Sequence, residues 1–203
     1  MAGSLIFPKG VRFPAADEIP NNDLKAGLLD KIADADIREG YVLATSENPN
    51  YPYYAEINVS APQVWSVFVD LSRQLLPEEV GLILGEKDQE KEHLFLGSYT
   101  SREDLLKVLG SFEFELANDG FIQFGLIHQV AGKTEEVFVA PSKHFLVWTS
   151  DGMSFQKVMQ AHGIPEFNKL SFIDEYPRVT LAQYDGWTRH HADILKELKE
   201  LCA

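Results

Sequence analysis

Residues 121–149 constrain the fold more than any other part of this chain. Residues 121–130 and 135–140 are rich in β-branched and aromatic side chains, and Ala131-Gly-Lys-Thr134 between them has turn composition. Pro141-Ser-Lys143 turns the chain once more, into Phe145-Leu-Val-Trp148. Parallel neighbours need a crossover of about a dozen residues, so three strands joined by turns this short form an antiparallel meander. The chain is therefore expected to build around an antiparallel sheet.

The remaining segments alternate irregularly between the two periodicities. A helix is expected over residues 23–38, with Leu24, Leu28, Ile32 and Ala35 on one face, Asn22 as cap and Gly40 beyond its end. Strands are expected at 41–45 and 54–59. Ser60-Ala-Pro-Gln63 has the form of a capping box and opens a helix to Leu76, striped by Val64, Phe68, Leu71 and Leu75. Residues 80–84 and 93–99 read as strands flanking a solvated charged loop at 86–92. Ser101 caps a helix through Leu105, Leu106 and Leu109. Phe112, Phe114 and Leu116 alternate with Glu113 and Glu115, which is a strand pattern. A helix capped at Ser154 is expected over 154–162, strands at 170–173 and 179–184, and a helix from Trp187 onward. Elements in this order give an α+β fold: a mixed, mainly antiparallel sheet with helices packed on one face. Residues 1–22, with Pro8, Pro14 and Pro20, read as an extended arm, and residues 23–203 as a single domain.

Charge is the one compositional bias. Thirty-one Asp and Glu against 18 Lys and Arg leave a net charge of −13. Such a surface repels phosphate backbones, so no nucleic-acid partner is expected; it attracts a basic protein partner, although solubility alone accounts for the larger share of this bias. Cys202 is the single cysteine, so no internal disulfide forms. The N-terminal sequence lacks the pattern of a signal peptide and no apolar run reaches ~18 residues. A soluble protein of a reducing, cytoplasmic compartment, without membrane attachment, is expected. The sequon at Asn58-Val-Ser60 then has no glycan to receive.

Motifs that carry chemistry are incomplete. Gly132-Lys133-Thr134 resembles the end of a phosphate loop, but Ile127 stands where the first glycine belongs and a strand follows instead of a helix. Ser154-Phe-Gln-Lys157 has the spacing of a serine–lysine pair without its companion motifs. The six histidines make no zinc spacing. His190 and His191, adjacent on a helix, point about 100° apart and cannot share one ion, whereas His128 and His144 lie on neighbouring strands and could meet. Asp34, Asp36 and Glu39 lack the glycine and third ligand of a calcium loop. Carboxylate pairs at Glu113/Glu115, Glu135/Glu136 and Asp174/Glu175 support acid–base chemistry only where a fold converges them. No catalytic residue, metal ligand or cofactor is assigned.

Two segments place aromatics beside turns or charge: Asn50-Tyr-Pro-Tyr-Tyr54 and Phe172-Ile-Asp-Glu-Tyr-Pro177. Loops folded back on a core have this composition, the reading narrowly preferred, and so do binding surfaces. Glu135-Glu-Val-Phe-Val139 followed by Lys143-His-Phe-Leu-Val-Trp148 resembles the small acidic bacterial immunity proteins that neutralise basic toxins. That resemblance covers part of the second half and implies a non-catalytic interaction module, but transfers no functional residue. The candidate partner contacts, Glu135, Glu136, Asp174, Glu175 and Tyr176, come instead from the hairpin acid pair and the acidic-aromatic stretch, which solvated loops do not account for. The strand leading through Ser60-Ala-Pro62 into a helix bearing Trp65 is also similar to the opening of helix-grip ligand-binding folds. This implies an alternative: a small-molecule binder or hydrolase on a curved antiparallel sheet.

Overall fold

A computed structural model describes residues 5–20, 23–87, 92–182 and 189–202. In chain order the strands are β1 (Val11–Arg12), β2 (Gly40–Thr45), β3 (Tyr53–Asn58), β4 (Glu79–Lys87), β5 (Glu92–Leu96), β6 (Thr100–Ser101), β7 (Ile122–Val130), β8 (Lys133–Val139), β9 (Phe145–Thr149) and β10 (Val179–Thr180). The helices are α1 (Lys25–Ala33), α2 (Val64–Leu75), α3 (Arg102–Gly110), α4 (Glu113–Asn118), α5 (Gly152–Ala161) and α6 (His191–Leu201). The fold is α+β, and every strand pairing is antiparallel. The large sheet runs in the order β2-β3-β9-β8-β7-β4-β5, with β6 paired to β4 off that path. The expected meander β7-β8-β9 is present. It fills the space between β3 and β4, two strands that α2 separates in the chain. Gly132, at φ +80°, makes the β7–β8 turn where a side chain would be strained.

One face of the sheet carries the core. Ala55, Ile57, Leu82, Leu84, Phe124, Leu126, Val137, Val139, Phe145 and Val147 join Val64, Val67, Phe68 and Leu71 of α2, with α3–α6 around them. Phe68 meets Phe124 edge to face, with 4.9 Å between ring centres. Both are fully buried, and each large side chain on this stripe contributes about 1.5–3 kcal/mol by burial.

Several expectations are corrected. Phe112, Phe114 and Leu116 do not form a strand. Residues 113–118 are α4, because Leu116 and Ala117 turn one helical face onto the core. Residues 170–173 are not a strand either: a single 3-10 turn covers Ile173–Glu175. α1 is shorter than expected and buries no residue. The box at Ser60 is not made, since the Ser60 hydroxyl instead accepts from the Ile6 amide of the arm at 3.2 Å. α5 is capped by Asp151, which accepts from the Ser154 amide at 2.9 Å. Ser101 does cap α3. Asn22, Tyr184 and Trp187 lie outside the described residues.

The arm is fastened along its length. β1 pairs with β10, and the Gly10 amide donates to Asn118 O at 2.9 Å. A Cβ at Gly10 would lie 2.3 Å from Asn118 O and 2.5 Å from Leu181 O, both backbone atoms. Gly10→Ala should therefore release the arm. The expected result is faster proteolysis confined to residues 5–20, with the circular dichroism of the rest preserved.

A charged cluster is buried at one end of the sheet. Lys143 is 1% exposed, sits at φ 65° and donates to Ile122 O. Burial pulls its ammonium down to about 7, opposed by the charge of Asp119. Asp119 faces His191 of α6 at 3.9 Å, and the other ring nitrogen of His191 is 2.9 Å from Glu86 of β4. An unfolded lysine titrates near ~10.4, so the unfolded chain binds the extra proton between about pH 7 and 10, and folding stability rises with pH across that window. Lys143→Met should flatten this rise, by roughly 2–4 kcal/mol in urea melts of the two proteins at pH 7 and 10.

Candidate functional site

The second face of the sheet is built from the alternate residues of the same strands. Register places two rows across it. One row runs Leu96, Ile83, Gly125, Phe138, Leu146, Glu56, Val42. The other runs Gly81, Ile127, Glu136, Trp148, Tyr54, Ala44. None of Tyr54, Ile83, Ile127, Phe138, Leu146 or Trp148 belongs to the core cluster that α2–α6 cover. Glycines set its shape. Gly81 faces Ile127, and Gly125 faces both Ile83 and Phe138, so the Ile127 and Phe138 side chains reach close to the space that a Cβ at these glycines would take. A Cβ at Gly125 would come within 3.0 Å of Phe138, which needs the space. Ile83 is 4% exposed, while Leu94 and Leu96 on the edge strand are 52% and 68% exposed.

Glu136 lies at the centre of this face. Its neighbours by register are Ile127 and Trp148, with Phe138 two residues on along the same strand. Among the described residues no cation pairs with it. Burial among these side chains pushes its carboxyl up to about 7. Beyond Trp148, the Tyr54 ring packs against the indole at 5.3 Å. The Tyr54 hydroxyl donates to Glu56 at 2.8 Å, and burial together with that carboxylate pushes the phenol up.

The five candidate contacts do not converge. Glu135 and Glu136 point to opposite faces. Glu135 is 2% exposed, accepts from the Ser150 amide at 3.1 Å and from the Ser150 hydroxyl, and pairs with Lys133 at 3.1 Å. Its charge is met within the fold, holding β8 to the start of α5. Asp174 is 2.8 Å from Arg178, and Glu175 accepts from the Phe172 amide at 2.8 Å. The Tyr176 ring packs edge-on to Phe13 of the arm and lies under the Lys31 ammonium of α1. That segment is a clasp between arm, helix and turn. Trp148, Phe138 and Leu146 were not among the candidates. Their signal was present in strands apolar at consecutive positions, Val137-Phe-Val139 and Phe145-Leu-Val-Trp148.

Other polar groups form no catalytic constellation among the described residues. The Ser142 hydroxyl and the Asp174 carboxylate both address Nδ1 of His144, at 2.8 and 3.8 Å, whereas a serine relay needs them on opposite ring nitrogens. His128 and His144 do not meet: His128 contacts Glu79 O and Tyr99, and His144 packs on Phe172. His190 and His191 do not diverge, because His190 precedes the helix as its cap, and their rings stack at 4.2 Å. No trio of metal-ligating side chains gathers among the described residues, nor is any described helix long and apolar enough to cross a membrane. Surface clefts of about 400 Å³ lie beneath the arm, beside Trp65 and Phe114, and of about 520 Å³ between α6 and Phe95. Compared with protein-family models, curated proteins and solved structures, the chain finds no match.

The carboxyl of Glu136 gives the face a stability signature. An unfolded glutamate titrates near ~4.3, so the folded state holds the extra proton up to about pH 7. That contribution is full below ~4.3 and is lost as pH rises through about 7. Glu136→Gln should remove the loss, leaving the variant more stable than the wild type by roughly 2–4 kcal/mol at pH 8 and indistinguishable near pH 4, as read from urea unfolding.

Proposed function

We propose that this protein is a non-catalytic interaction module that binds a basic protein partner through the second face of its large sheet. One observation supports this reading: strands β4, β7, β8 and β9 carry large apolar side chains on both faces, while α2–α6 pack on one. An antiparallel sheet with a permanently wet face alternates apolar with polar residues, and strands apolar on both faces belong to sheets covered twice. Aromatic anchors, Trp148, Tyr54 and Phe138, supply contact area at low entropic cost. The sign of the partner follows from charge: Glu136 and Glu56 sit among those anchors, and the chain as a whole carries −13. A basic partner meets that field favourably and is steered toward it.

The test is affinity capture from an extract of the source cell with the wild-type chain and with Phe138→Asp, both first shown to be folded by circular dichroism. A stoichiometric basic protein retained by the wild type and lost by the variant is the expected result. Recovery of the same proteins by both chains, or of no stoichiometric protein by either, would sink the proposal.

A further inference from the structure

We propose that Glu136 and the indole of Trp148 together form a receptor for a single cationic side chain of the partner, an arginine. The inference rests on the interaction reading above and names the chemistry of its centre. Glu136 and Trp148 are direct cross-strand partners on one face, so carboxylate and ring rise side by side from the sheet. Tyr54, packed on the far side of the indole, fixes the ring and extends the aromatic surface. Ile127 closes the opposite side of the carboxylate. A guanidinium is planar, stacks on an aromatic face and offers a two-pronged donor edge to a carboxylate. An ammonium makes the ion pair without the stacking, which is why arginine is preferred to lysine.

The charged and titratable groups around this position are few. β7 presents Ile127 opposite Glu136. β9 presents Trp148 and Leu146. β3, one strand further, presents Tyr54 and Glu56, which bond to each other. On β8 itself, Lys133 and Glu135 pair with each other, and Glu135 points to the core face. The loop before β3 reaches β8 through its backbone, Asn50 O accepting from the Thr134 amide. Occupation of the receptor therefore draws its counter-charge from Glu136. A carboxyl held protonated near neutrality by burial must lose that proton when the guanidinium arrives. Binding is coupled to release of one proton from the site, and tightens as pH rises through about 7.

The probe is hexa-arginine, with hexalysine for comparison, titrated calorimetrically into the full chain at pH 6.5 in two buffers of different ionisation enthalpy. Expected are a buffer-dependent heat corresponding to release of more than half a proton, quenching of tryptophan fluorescence, and at least fivefold weaker binding of hexalysine. Glu136→Gln should weaken hexa-arginine at least tenfold and abolish the proton release, Trp148→Leu should weaken it comparably, and Glu56→Gln should retain the proton release. Binding lost in Phe138→Asp but unchanged in Glu136→Gln would overturn the arginine receptor and leave the face as an interaction surface. Affinity indifferent to all four substitutions would mean diffuse surface charge and would overturn both.

Discussion

The packing of α2 across a single face of the sheet is the constraint on which the other elements depend. Its stripe of Val64, Val67, Phe68 and Leu71 needs a broad apolar platform, and no two adjacent strands provide one. β3 precedes the helix and β4 follows it, yet the two lie apart, with β9, β8 and β7 between them. The platform is completed only when residues 122–149 insert. The Phe68–Phe124 contact thus joins parts of the chain on either side of α3 and α4, and cooperative folding follows from that dependence. Removing the Phe68 ring would cost about 3–5 kcal/mol in the usual range for a buried aromatic, a large part of a domain's total stability.

Charge is handled differently on the two faces. On the core side, Glu135 is met by Lys133 and Ser150, and Lys143 by Ile122 O and the field of Asp119. Glu135 has the partners under which a buried charge is tolerated, whereas burial draws Lys143 toward its neutral form against the charge of Asp119. On the second face Glu136 has neighbours of the wrong kind for a carboxylate, and it answers by keeping its proton. A group that holds a proton at the edge of the neutral range does so at a cost that an incoming cation removes.

The fold was legible where periodicity was strong and local. The meander, α2, α3 and the helix of α6 follow from spacing and turn chemistry alone. Residues 112–116 were misread because a stretch this short satisfies both periods: Phe112 and Leu116 are two steps of alternation and also one helical turn, and packing against α2 decided between them. Ser60 was misread because its hydroxyl has two suitors, the amide at the start of its own helix and the Ile6 amide 54 residues away, and tertiary contact won. The same limit applies to the site. Adjacent acids at Glu135 and Glu136 look equivalent in sequence, and only the strand separates them into one internal and one external group. Tyr54 stands out by its aromatic neighbours, whereas Trp148 and Leu146 lie in the continuous apolar run of β9, which does not say which of its residues face the helices.

The opposite directions of Glu135 and Glu136 also make β8 self-correcting. If the strand slipped by one residue against β9, every side chain would exchange faces. Glu135 would leave Ser150 and stand in the apolar row beside Trp148, and Glu136 would be driven beneath the helices without a cation to meet it. Val137 and Phe138 would trade places with little penalty, because both faces accept apolar side chains. The two adjacent glutamates are thus what distinguishes the native alignment from its nearest competitor, and a strand that is greasy on both sides keeps a unique pairing because one of its acids has an address and the other does not.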